Sequence, residues 1–551
     1  MPLIRQGQPR PDEGNEVALA GPFGGIQSEA PLSRIEGLGV QDATNVLFRK
    51  GAMQVRPVLN ATSSPDGTAI MGIFDFFDRV GTRHQMLFTT RNLFEWNSNT
   101  QTWVEIPPGG AAGNGATTFS GTNTNKFSAT IVNGQLVFSN GVDPIGIWDG
   151  SAAFWSNASV STTGRFPARY LFELDTYALA LYTTEAGNTW PQRVHWSAPG
   201  DPTIWEQSPT EFRPGITDLL NDLGPITGGV KLYQSGFVFH YWGITQVVPT
   251  GIGLAPFDFV PLSSRAKGNV IPFSLSDFGE DIACYVGKDN VYQFDGNYSV
   301  PIGDARIDGT RYRIGARKRI LADLVHADFA TVNGFITTSI SGNDYFAYWL
   351  FIPNLDQAWV YHFDEQSWTR ETFTTGTAPI SSGSFFNATG LRIMDLLGTI
   401  GHLPGIIADL GVNTIPFDGM LIGGQNGIPN FIDFTGASER PWTVMSGNHY
   451  FGDFRRRKTV STVRLMLQDF VANQTATLTL TSNTGVTQTQ PVGPVGTGSG
   501  NDITVIIPFQ PVVSGTWIRW QLQGNANSPF YLTELTPYYD IGGQIRAGGV
   551  D

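Results

Sequence analysis

From about residue 70 onward the chain alternates apolar and polar positions in short runs, and one unit recurs: a run, a turn, a second run, then an aromatic residue followed by Asp, Asn or Glu. Alternation with period two puts every second side chain on one face of a strand. Six stretches carry the unit: residues 72–106, 129–155, 169–207, 228–249, 281–303 and 343–373. Trp96, Trp148, Trp205, Trp242, Phe294 and Phe363 mark them at a spacing of roughly 50 residues, the size of a propeller blade. A meander of three or four strands with two apolar faces has to stack on neighbours, and closing the stack into a ring removes exposed sheet edges. The pattern therefore predicts an all-β fold with a β-propeller-like domain of roughly six to eight irregular blades. A packed set of unrelated hairpins is the competing arrangement.

Two stretches depart from period two. In residues 309–329, Ile320, Leu321, Leu324 and Val325 fall at helical spacing opposite Arg317, Lys318, Arg319 and Asp323, which predicts a short amphipathic helix. In residues 396–413, Leu397, Ile400, Leu403, Ile407 and Leu410 recur every three or four positions, but Gly398, Pro404 and Gly405 oppose a regular helix, so an irregular packed connection is expected. After residue 455 the period-two pattern returns in longer runs. Val463, Leu465 and Leu467 share one face, as do Ile503, Val505 and Ile507, and Ile518, Trp520 and Leu522, which predicts a C-terminal β-sandwich. The expected division is a flexible arm over residues 1–23, a propeller-like platform over 24–450 with first strands at 44–56 and insertions near 306–326 and 391–416, and the sandwich over 451–551.

Composition narrows the function classes. Of 551 residues, 41% are hydrophobic and 15% charged, enough apolar surface for several cores. A single cysteine, Cys284, leaves packing rather than disulfides to hold the fold. The N-terminal stretch lacks the apolar core of a signal peptide and no apolar run approaches membrane-spanning length, so a cytoplasmic product without a membrane-spanning segment is expected. The formal charge of -13 opposes general adhesion to nucleic acid.

Catalytic signatures are sparse. The sequence has no GxxxxGK[ST], HExxH, GxSxG or EF-hand pattern, and its seven histidines stand singly without a Cys or His at metal-ligand spacing. No cofactor, metal or catalytic residue is expected, and the chain reads as a non-enzyme. Propeller glycosidases use paired carboxylates, but Asp149, Asp295 and Asp364 follow aromatics at strand ends, where a short carboxylate serves as a turn acceptor. Two basic groups remain as candidate partner or lumen contacts: Arg311, Arg313 and Arg317, and Arg455, Arg456 and Arg457. In so acidic a protein each fits a solvated face or an acidic partner surface better than phosphate.

Residues 24–60 carry a more specific pattern. Gly24, Gly25 and Ile26 precede a small-residue spacer, then Asn45, Val46, Phe48, Arg49 and Gly51, then Arg56 and Pro57. This opening resembles that of tail nozzle or tail hub proteins of short-tailed bacteriophages. The stretch YVGKDNVYQFDGNYSVPIG and the order of the C-terminal elements are similar in kind, while Ile and Leu replace the tryptophans expected around residues 395–410. Read locally, residues 45–49 turn at Lys50-Gly51 into residues 52–57, a hairpin expected to complete the first blade. The resemblance implies a structural virion protein of the tail, assembled in the bacterial cytoplasm as a homo-oligomeric ring of six copies below the portal and head-to-tail adaptor. Such a ring would conduct the genome DNA during ejection without binding it specifically and would offer docking surfaces for tail fibres. The alternatives are a host-glycan-binding tail module and, less favoured, a propeller glycosidase.

Overall fold

The computed structural model describes residues 15–16, 19–20, 25–29, 39–49, 52–55, 58–61, 63–97, 100–109, 118–153, 155–157, 166–253, 255–263, 265–278, 281–306, 313–340, 343–374, 379–387, 418–433, 440–470, 474–492, 502–526 and 530–544. Its architecture is all-β: a propeller with a β-sandwich joined to it. Among the described residues seven antiparallel four-stranded meanders succeed one another, six as separate sheets and the sixth in order as the first part of a nine-stranded sheet. Their innermost strands are Ile70–Phe77, Ser128–Val132, Ala168–Leu174, Ile226–Leu232, Ser276–Phe278, Asn333–Ile340 and Pro379–Asn387. Each lies against the innermost strand of the next blade, and the seventh returns to the first, so the ring is closed. Six of the blades are the six stretches that the alternation marks.

The seventh is assembled from both ends of the propeller sequence. Strands Pro379–Asn387, Asp418–Gly424 and Pro429–Asp433 are completed by Val58–Ala61, which pairs Ala61 with Asn430 and Val58 with Asp433. A late strand held by an early one closes the ring through backbone hydrogen bonds and leaves no blade with a missing edge. The expected hairpin forms, with Val46–Arg49 antiparallel to Ala52–Val55 and Arg49 opposite Ala52, but it does not complete a blade. It belongs to the sandwich, where Gln54 and Met53 pair with Tyr531 and Leu532. The blade strand is the next one along, and it completes the last blade rather than the first.

The sandwich likewise draws on both termini. One sheet runs Val46–Arg49, Ala52–Val55, Tyr531–Gln544, Arg456–Gln468, Asp502–Gly515, and the other runs Val40–Thr44, Arg440–Ser446, Ile518–Ala526, Thr475–Ser482, Thr487–Pro491. Part of the stretch 1–23 expected as a flexible arm is also sheet, because Asn15–Glu16 and Leu19–Ala20 pair with Tyr531–Gln544. The boundary expected at 450/451 thus falls earlier, before Arg440, and the expected first platform strands at 44–56 are sandwich strands. Alternation dictates the faces: Val463, Leu465, Leu467, Ile518, Trp520 and Leu522 are all buried, with Ile503 and Val505 half-buried beside Ile507. The second sheet continues blade 6 outward, because Thr44 pairs in parallel with Arg370 of that blade's outer strand Ser367–Thr372. One apolar cluster, from Val286 and Ile320 through Trp359 and Trp368 to Trp442 and Leu535, spans blades 5 and 6 and the sandwich.

The amphipathic helix is present over Arg317–Val325. Ile320 and Leu324 are buried in that shared cluster, but Val325 is 78% exposed. At about 100° per residue it has already rotated off the face that Leu324 presents. Residues 388–417, which include all of the expected 391–416 insertion and of the Ile/Leu-for-Trp positions at 395–410, lie outside the described residues, as does the arm up to residue 14.

Candidate functional site

Of the family-like opening, Gly25, Asn45 and Phe48 meet at the junction between blade 6 and the sandwich. Gly25 has φ +73°, and a Cβ there would sit 2.7 Å from Ser367 Cβ and 2.8 Å from the Trp368 nitrogen, so only glycine lets the chain pass. The next residue donates its backbone N–H to Trp368 O at 2.8 Å. Asn45, 2% exposed with φ +57°, ties three segments together. Its Nδ2 donates to Thr372 Oγ1 (2.9 Å) and Pro441 O (2.6 Å), its Oδ1 accepts the Thr372 N–H (2.9 Å), and its own N–H donates to Arg370 O (2.8 Å). Asparagine is one of the few side chains that tolerates the left-handed region while offering both a donor and an acceptor. Phe48 is buried in the shared core. Asp42 accepts from Arg319 on the helix (3.2 Å) and from Arg370 on blade 6 (3.2 Å), which pins the same strand from two sides. Arg49 lies in its hairpin strand. Gly24, Gly51, Arg56 and Pro57 lie outside the described residues.

The two basic groups separate. Arg317 is tied down at the start of its helix, with Nε donating to Asp289 O (2.8 Å) and Nη1 3.9 Å from the buried Asp304 carboxylate. Arg313 sits in a short strand paired through Arg306, and Arg311 lies outside the described residues. Arg455, Arg456 and Arg457 instead stand exposed at the start of the long sandwich strand Arg456–Gln468. Asp453 Oδ1 accepts the backbone N–H groups of Arg455 (2.8 Å) and Arg456 (3.2 Å), and Phe454, 58% exposed, packs on Tyr450 at 4.4 Å between centroids. Lys458, next in sequence, is buried and reaches Thr516 O at 3.3 Å.

Side chains obstruct the axis of the ring at one level. A cavity of about 220 Å³ remains, with side chains from six blades around it, among them Met71, Tyr170, Phe273 and Asp277. Lys126 crosses it. This residue is 2% exposed, donates Nζ to Thr331 O (2.8 Å) and Val332 O (2.6 Å), and lies 5.2 Å above the Phe273 ring. Burial holds its ammonium well below the usual lysine range, against the opposing charge of Asp328. Asp277 is the one carboxylate among the described residues lining the cavity.

A larger recess of about 620 Å³ opens on the outer part of blade 3, between its outer strand Gly215–Asp218 and the outer strand of blade 4, Phe257–Pro261. Trp196, Trp205, Phe257 and Phe259 form apolar walls, and Glu185 and Glu206 contribute carboxylates. His195 stacks on Phe166 at 4.7 Å, and its Nε2 meets Trp205 O at 2.8 Å. Its Nδ1 stands 3.5 Å from Glu185. Arg193 grips Asp218 through two bonds of 2.7 and 2.9 Å, contacts Glu185 at 3.0 Å and lies 3.8 Å over Trp190. Burial raises the Glu185 pKa, but hydrogen bonds from His195 and Thr183 and the charges of His195 and Arg193 outweigh it and bring the carboxyl down to about 2.

A second buried histidine spans blades 1 and 2. His84 Nδ1 is 2.6 Å from Glu95 Oε1 and Nε2 is 3.4 Å from Asp78 Oδ2, while its ring stacks on Phe76 (4.9 Å) and meets the edge of Trp148 (5.1 Å). Reading the histidines as isolated residues missed both clusters. The partners lie 11 and 6 positions from His84 and 10 from His195, separations set by strand pairing rather than by a short motif. Two of the three expected turn carboxylates accept backbone N–H groups of their turns, Asp149 from Ser151 and Ala152, and Asp295 from Asn297 and Tyr298.

Among the described residues no group of three or more His, Cys, Asp or Glu is placed to hold a metal, and no helix is long and apolar enough to cross a membrane. No protein-family model and no curated protein matches the chain. Among solved structures it is similar to virginiamycin B lyase from Staphylococcus aureus, at 8% identity and a TM-score of 0.38 over 68% of this chain and 99% of that one. It is also similar to YCF48 from Cyanidioschyzon merolae, at 10% identity and a TM-score of 0.38 over 68% of this chain and 98% of that one.

Proposed function

We propose that the chain is a structural component of a short-tailed phage tail, a ring-forming nozzle or hub below the portal and adaptor that conducts DNA during ejection and presents docking surfaces for fibres. The observation that carries this reading is the junction: Gly25, Asn45 and Phe48, the residues of the family-like opening, brace the propeller against the sandwich. A rigid two-part subunit with a shared core suits a load-bearing ring. The obstructed axis also bears on the path of DNA. A cavity of about 220 Å³ crossed by Lys126 has no room for a duplex, so the conduit would be the lumen enclosed by several copies, with the propellers outside it. Acidic walls there would repel the phosphates and favour sliding. Electron microscopy of the purified chain and of virions tests the proposal. Rings, and density for the chain at the distal tail, are expected. A chain that stays monomeric and is missing from tails refutes it.

A second reading is a glycan-binding tail module, and the recess on blade 3 favours it, because aromatic walls beside carboxylates suit a sugar ring. Trp517, an aromatic that the sandwich would offer to a glycan, gives less to this reading, since it is half-buried beneath Arg519. Glycan-array binding by the full chain, abolished by substitution in the recess, would support this reading. The fragment 455–551 is unsuitable for the test, since it lacks the sandwich strands between residues 40 and 55 and Arg440–Ser446.

A further inference from the structure

Two surfaces of the molecule complement each other and lie where one copy cannot join them. The first is the recess on blade 3. It is lined by aromatic walls and by the carboxylates of Glu206 and of Glu185, the latter held by Arg193 at 3.0 Å, with no Lys or Arg among its described lining residues. Its surroundings are acidic: residues 170–225 hold eight carboxylates against Arg193 and Arg213, and both arginines are already engaged, with Asp218 and Glu185 and with Glu211. The surface beside it is apolar and open, with Phe212 51%, Ile216 46% and Leu220 86% exposed. The second surface is the loop at residues 450–457, where Phe454 and three consecutive arginines are exposed on the sandwich, Arg456 beside Asp453 at 3.4 Å and Arg457 donating to Ser514 Oγ at 2.7 Å. This loop is preorganised. Asp453 caps it, Phe451 adopts φ +50° and stacks on Tyr539 at 4.5 Å, and Gly452 follows at φ +77°.

Topology keeps the two apart. The sandwich extends outward from blade 6, and its N-terminal hairpin leads directly into the outer strand of blade 7. In a seven-membered ring, blade 3 stands three places from each of them, on the far side. We propose that the recess on blade 3 receives the Phe454–Arg457 loop of a second copy of this chain. A guanidinium fits between aromatic faces and carboxylates, gaining both ion pairing and cation–π attraction, and a rigid aromatic–arginine loop has the composition of an interface hot spot. The contact is heterologous, so it propagates head to tail into a closed ring or an open filament. This inference rests on the ring-forming reading above and names the interface that builds the ring.

The test uses two full-length variants, a loop variant Phe454→Ala/Arg455→Glu/Arg456→Glu and a recess variant Glu206→Arg/Ile216→Arg. All the changed positions are at the surface or the recess mouth, so wild-type circular dichroism is expected of each. Native mass spectrometry should show oligomers for the wild type and, for either variant alone, association weakened at least about tenfold, leaving monomer. An equimolar mixture should give a one-to-one heterodimer and nothing larger, because the intact recess of the loop variant and the intact loop of the recess variant form a single contact. A mixture that stays monomeric although both variants are folded overturns the proposal. Wild-type rings that survive both sets of substitutions overturn it while leaving the ring reading intact. A wild-type chain that is monomeric at every concentration overturns both.

Discussion

Asn45 is the position at which a small change should do the most damage to the junction. Truncation in Asn45→Ala removes three side-chain hydrogen bonds, to Thr372 Oγ1, Pro441 O and the Thr372 N–H. At a net value of about 1 kcal/mol each they sum to about 3 kcal/mol. Water can reach the exposed Pro441 and recover part of its bond, which lowers that sum to about 2 kcal/mol. Holding alanine at φ +57° adds about 1 kcal/mol, for a total near 3 kcal/mol. Asn45→Gly loses the same bonds without the backbone penalty, so it should be the milder variant by about 1 kcal/mol. Unfolding of so large a chain is not expected to be two-state, which makes a single global midpoint a poor readout. Native-state hydrogen exchange reports the strands themselves. The amides of Ser367–Thr372 and Arg440–Ser446 should exchange about a hundredfold faster in Asn45→Ala, with the far blades unchanged. Exchange at wild-type rates in both variants, or equal acceleration in the two, would refute the assignment of Asn45 as a three-way tie.

Gly25→Ala should cost at least about 2 kcal/mol, since φ +73° penalises any Cβ and the new atom meets backbone of Trp368, and faster proteolysis at the blade 6 junction would register it. His84 predicts a pH dependence. Burial pulls its pKa down, but hydrogen bonds and charge from Glu95 and then Asp78 raise it overall above the usual 6.5. The stability it contributes is therefore complete below about pH 6.5 and lost as pH rises through the elevated native value. Thermal scans across that window should show a decline in the wild type that His84→Gln lacks; parallel profiles would exclude the imidazolium reading. Deleting residues 1–61 removes the outer strand of blade 7 and five sandwich strands together, so the remaining chain should aggregate, and a soluble, protease-resistant product would contradict the closure described.

Period two in the sequence was enough to determine that the chain is all-β, to mark six blades and to assign the buried faces of the sandwich strands, because alternation is a local property that each strand carries by itself. The helix was legible for the same reason, down to Ile320 and Leu324. Composition and the local turn pattern around Asp149 and Asp295 likewise reported what neighbouring residues do. Only the tertiary structure decided what depends on partners far along the chain. The seventh blade escaped the repeat because Val58–Ala61 and Pro429–Asp433 are separated by the rest of the propeller. The hairpin after Asn45 could be located in the sequence but not assigned, since a hairpin's turn chemistry says nothing about which sheet it joins. Closure of the ring, the obstructed axis at Lys126, the two histidine–carboxylate clusters and the recess on blade 3 all arise from strand pairing across long separations, where side chains meet by register rather than by spacing.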